Sequence, residues 1–143
     1  FWRWLMDVRA QAHAEGKTFA AYCYSAHGEN HWMRMSAQRF REVDEREVEE
    51  FISSPEWVDM FAHVKRSFAG PFGLGLKVVA PEAGFTWPEE DFDGEESVNA
   101  RREALAGDFV ARQRLLDYNS GDVQATRAVR EWMDAGAPGT TAL

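Results

Sequence analysis

The chain has 143 residues, the size of one domain, and its 45% hydrophobic and 28% charged content excludes a disordered chain. A single cysteine excludes an internal disulfide framework and a four-cysteine zinc site. Sixteen Lys and Arg against 24 Asp and Glu give a net charge of -8, which excludes a protein that coats nucleic acid with its whole surface, though not a local groove whose sign a bound metal changes.

The elements follow in chain order. Phe1 to Glu15 reads as a helix, with Phe1, Leu5, Val8 and Ala12 on one face and Gly16 as its stop. No signal-peptide pattern opens the chain, and no apolar stretch approaches the roughly 20 residues that span a membrane. A first residue that is not methionine, running straight into helical periodicity, predicts a piece of a longer cytoplasmic protein, cut inside one domain that covers 1–143. Thr18 to Ser25 predicts a buried strand flanked by helix, with Cys23 as a small core residue and Ser25 placed to cap the next helix. That helix runs from His27 to Phe40, its less polar members being Trp32, Met33, Met35, Ala37 and Phe40. Arg41 to Glu50 is a charged helix or loop docked by Val48, Phe51 and Ile52. Pro55 breaks the pattern, and a segment from Glu56 continues to Phe68. Gly70 to Gly75 is a turn-rich connector, Leu76 to Ala80 is strand or helix, and Pro81 to Asp93 is a loop leading into the acidic run 89–96. Ser97 caps a helix to Leu105. The last helix spans about Asp108 to Asp134 on Val110, Leu115, Leu116, Val123, Ala125, Val129, Trp132 and Met133, with a frayed tail beyond about 135.

The segment Leu115 to Thr126 is the richest in chemistry. Tyr118 and Asp122 are four residues apart, which sets a phenol and a carboxylate one turn apart on one helix face. Such a pair can hold a metal-bound water, the carboxylate ligating a hard divalent ion and the phenol orienting the nucleophile. The bland alternative is a solvated aspartate beside a half-buried tyrosine. His27 and His31 stand four apart without the glutamate spacing of a zinc motif, and Gly73-Leu74-Gly75 lacks the lysine of a phosphate loop.

The run YNSGDVQATRAVREWM resembles the last motif of the ribonuclease-H-like 3′–5′ exonucleases of the DnaQ, or DEDD, superfamily. More narrowly, AYCYSAHGEN, SPEWVDM, GLGLKVVAPEAGFTW and LLDYNSGDVQATRAVREWM, in that order, resemble the RecB-like nucleases that carry a ribonuclease-H-like domain, over about Phe19 to Trp132. The resemblance implies an α/β ribonuclease-H-like fold and a metal-dependent nuclease using Mg²⁺ or Mn²⁺ on DNA or RNA. It implies Tyr118 and Asp122 as the third motif, with Glu29 standing where the family's second motif has an aspartate. Asp59 matches the narrower family as a metal ligand, a substrate-side group or a helix cap. Lys77, in the family-like GLGLK, either contacts a phosphate or faces solvent. The family's D-x-E strand is absent before Phe19, so the N-terminal strands would lie upstream in the parent chain, leaving this piece inactive or very weak, with a second copy able to cover the open sheet edge. The acidic runs turn substrate away, and Arg101, Arg102, Arg112 and Arg114 form the nearest basic cluster. The other reading is a catalytically silent, nuclease-derived interaction or regulatory module.

Overall fold

A computed structural model of the chain describes residues 1–89, 92 and 94–140. It divides into two compact units, Phe1–Arg66 and Ser67–Leu143.

In the first unit the order is α1 (Trp2–Ala14), β1 (Ala21–Cys23), α2 (His27–Arg39), α3 (Glu45–Ile52), β2 (Trp57–Asp59) and α4 (Met60–Ser67), whose last residue falls just past the division. β1 and β2 are parallel, with Ala21 opposite Trp57, Tyr22 opposite Val58 and Cys23 opposite Asp59. Parallel neighbours need a crossover, and α2 and α3 supply it. The expected eight-residue strand is therefore shorter than its apolar run, and Tyr22 is 41% exposed rather than covered on both faces. α3 docks as expected: Val48 and Phe51 are each 1% exposed, and the Asp44 side chain caps the helix by accepting from the Arg46 amide. α1 and α2 are less buried than their patterns imply. Phe1, Val8, Trp32, Met35 and Phe40 are exposed, while Leu5 and Ala37 are the buried anchors.

The second unit holds α5 (Leu76–Glu82), α6 (Gly94–Leu105) and α7 (Phe109–Asp134). Leu76 to Ala80 resolves as helix, burying Val79 and Ala80. α6 starts at Gly94, so Ser97 lies within the helix and is not its cap. α7 begins where Asp108 accepts from the Val110 and Ala111 amides. Its inward stripe differs from the apolar pattern: Val110, Leu116 and Val123 are exposed, whereas Ala111, Gly121, Ala125, Thr126 and Val129 are buried. Phe92, Ala100 and Ala111 form a core that Leu115 and Tyr118 join. Part of the predicted 81–93 loop and 89–96 acidic run, at 90, 91 and 93, and the tail at 141–143 lie outside the described residues. Among the described residues no helix is long and apolar enough to cross a membrane.

Candidate functional site

In the first unit the chemistry gathers just past the carboxyl ends of β1 and β2, where open α/β sheets commonly present ligand-binding groups. β2 ends at Asp59 and α4 starts at the next residue. Asp59 Oδ1 accepts from the Ser25 and Phe61 amides, both at 2.9 Å, and Oδ2 accepts from the Ala26 amide at 3.2 Å. One carboxylate thus serves the starts of both α2 and α4. Ser25, the expected cap, caps nothing; it takes a left-handed φ of 68° that turns the chain from β1 toward α2. The capping role foreseen for Asp59 is present, and it extends to a second helix 33 residues earlier.

Glu29 lies in the first turn of α2. It reaches solvent overall, yet packing around its carboxyl raises its pKa, its own amide opposes the rise and the Asp59 charge adds to it. It lines a cavity of about 860 Å³ with Trp2, Met6, Trp32 and Trp57. Cys23 is 6% exposed, donates to the Val58 carbonyl at 3.7 Å and is pushed up to about 12 by burial and then by Asp59 and Glu29. A thiol so disfavoured as thiolate is a core residue, not a nucleophile.

In the second unit Tyr118 and Asp122 both fall on the inward side of α7, half-buried, one turn apart. Asp122 is therefore not the solvated aspartate of the bland alternative. Burial raises its carboxyl pKa, while a hydrogen bond from Trp87 and the charge of Lys77 pull it down. Trp87 Nε1 donates to Asp122 Oδ1 at 3.0 Å. The Lys77 ammonium lies 3.9 Å from the Trp87 ring centroid and 5.0 Å from that of Tyr118. Lys77 is exposed overall but its charge is gathered to the site. A cavity of about 310 Å³ opens beside these rings, lined by Trp87, Phe92, Arg114, Tyr118 and Gln124 among others. Arg114 of the expected basic cluster is paired with Glu89 at 2.7 Å.

The expected residues thus fall into two groups, Glu29 with Asp59 and Tyr118 with Asp122 and Lys77, each inside its own unit. Sequence reasoning missed Trp87, although a glycine inside a helix at Gly121 was a signal that something packs closely there. Among the described residues neither unit gathers three His, Cys, Asp or Glu side chains into one metal-holding cluster, and the His27–His31 pair gains no third partner. The donor chemistry does suit a hard cation. Glu29 and Asp122 are oxygen donors whose carboxyl pKa burial raises, and at Asp122 the charge of Lys77 opposes that rise.

A family model described as the RNase H superfamily matches residues 7–134. No curated protein and no solved structure gives a significant match.

Proposed function

The chain belongs to the RNase H superfamily, and from that premise we propose that it supplies the catalytic groups of a metal-dependent nuclease of the DEDD, 3′–5′ exonuclease kind, related to the RecB-like nucleases. The substrate is a DNA or RNA strand. The single observation that carries the reading is the half-buried Tyr118–Asp122 pair on α7, with the Lys77 ammonium beside it. A half-buried carboxylate on the inward face of a helix costs stability, and such costs are met at sites of chemistry.

Glu29 and Asp59 in the first unit and Asp122 in the second, each within its own unit, are the oxygen donors suited to Mg²⁺ or Mn²⁺, which when bound would lower the pKa of water and neutralise charge on a phosphodiester. Tyr118 orients the attacking water through its hydroxyl. Lys77 offers a cation to a phosphate oxygen, placed as a point charge and not as a bidentate clamp. The -8 net charge makes such local cations matter, because the rest of the surface repels the strand.

The test is an end-labelled single-stranded DNA and RNA assay of the protein carrying this chain, with Mn²⁺ or Mg²⁺. Asp122→Asn should remove nearly all cleavage, since it deletes charge and keeps shape. Tyr118→Phe should cost less, within the roughly 10²- to 10⁴-fold range of positioning and proton-transfer groups. Full activity in Asp122→Asn, with the metal requirement intact, would remove Asp122 as a ligand.

One observation favours the second reading, a catalytically silent interaction module: Asp59 already spends both oxygens on three backbone amides. That reading predicts no metal-dependent cleavage from any form of the protein, and binding of Mn²⁺ unchanged by Asp59→Asn.

A further inference from the structure

Trp87 is 8% exposed, and three neighbours fix its ring from different directions. Phe85 meets it edge-on at 5.0 Å and 88°, Lys77 places its ammonium 3.9 Å from the centroid, and α7 presents Gly121 beneath it. A Cβ at position 121 would stand 2.9 Å from Trp87 Cδ1 and 3.2 Å from Nε1, closer than side chains tolerate. A glycine inside a helix weakens it relative to alanine, so the sequence gives up helix stability to seat this indole. The seat puts the Nε1–H at 3.0 Å from Asp122 Oδ1. Indole nitrogen is a donor only, so the bond has one polarity and cannot be reversed by rotation or proton exchange.

We propose that Trp87 is a positioning residue for Asp122: its N–H holds one carboxylate oxygen in place and leaves the other to face a cation or water, in a seat that exists only because residue 121 is glycine. This rests on the nuclease reading for its consequence, but not for its geometry. Lys77 has a second part in the arrangement. By lying on the indole face it helps hold the ring in its seat. Hydrogen bonds that orient a metal ligand from behind are commonly worth about 10- to 100-fold in affinity or activity.

Two measurements test it. In the ¹⁵N-labelled protein the Trp87 indole resonance, assigned by its loss in Trp87→Phe, should shift and exchange faster in Asp122→Asn, where a neutral amide replaces the charged acceptor. In the nuclease assay Trp87→Phe and Gly121→Ala should each lower kcat by about 10- to 100-fold while KM for the strand changes little. Phe keeps an aromatic ring in the seat but removes the N–H together with the pyrrole half of the indole, so its far-ultraviolet circular dichroism should match the wild type; if Gly121→Ala fails to fold, Trp87→Phe alone decides. An indole signal indifferent to Asp122→Asn overturns the proposal, as does full kcat in Trp87→Phe when Asp122→Asn is inactive. If the wild-type protein cleaves nothing, the nuclease reading falls and the indole signal alone decides the placement of Trp87.

Discussion

Asp122 and Glu29 share an unusual position for carboxylates: in both, burial is the largest influence and it opposes the charge. The sign of the consequence follows from linkage. A carboxyl whose pKa is raised in the folded state contributes stability that is fully present below its unfolded pKa and is lost as pH rises through the folded value. Above the raised pKa each group is therefore ionised at a cost to the fold. Asp122→Asn and Glu29→Gln should melt at the same temperature as the wild type or higher where the wild-type carboxyls are ionised, and the difference should shrink as pH falls through their raised pKa. Melting curves across that window check it. A lower melting temperature for Asp122→Asn above the raised pKa would mean that the charged hydrogen bond from Trp87 outweighs burial. The same comparison guards the activity assays, because a lost rate in a variant that melts no lower than wild type is not a folding defect.

Between elements, Asp59 does the work that local caps do elsewhere. α3 and α7 are capped by the residue just before them, Asp44 and Asp108. α2 has no side-chain cap of its own; its first turn is tied through Ser25 and Ala26 to an aspartate more than 30 residues later. No local signal carries that, which is why Ser25 looked like the cap. The contact exists because β1 and β2 pair in parallel with Cys23 opposite Asp59, which brings two helix starts to one end of the sheet. Asp59→Ala should leave three amides to water or unsatisfied, and a bond to a charged acceptor is typically worth about 1.5–3 kcal/mol. We expect a loss of at least about 2 kcal/mol by urea unfolding, with Asp59→Asn recovering part of it because one oxygen still accepts. A loss below about 0.5 kcal/mol, the scale of an ordinary surface substitution, would show that the carboxylate is not holding the two helices.

Across the whole molecule, the sequence was most informative where periodicity and a stop signal agreed. The last helix was placed to within a residue at each end, yet its inward face was misread, because apolar counting favours Val110, Leu116 and Val123 over Gly121, Asp122 and Thr126. Gly121 and Asp122 are inward for a reason that lies on another segment, the ring of Trp87. Leu76 to Ala80 stayed open between strand and helix because five apolar residues have no length to decide it. The division at Arg66 and Ser67 had a nearer signal in the connector Gly70 to Gly75, which follows it by a few residues and breaks both periodicities. Phe72, at the centre of that connector, is 85% exposed in a turn with no regular ladder to protect its backbone. Nicking by protease concentrates at such exposed tips. Brief chymotrypsin digestion of the native chain should therefore cut first after Phe72, giving two fragments of nearly equal size, and Phe72→Ser should suppress that cut and slow the overall loss of intact chain. Phe109 is as exposed, at 83%, but sits at the first position of a long capped helix, so its bond should be cut later. Cleavage that begins at Phe109 while the Phe72 bond is still intact would place the weakest point of the backbone at the start of α7 and not at the connector.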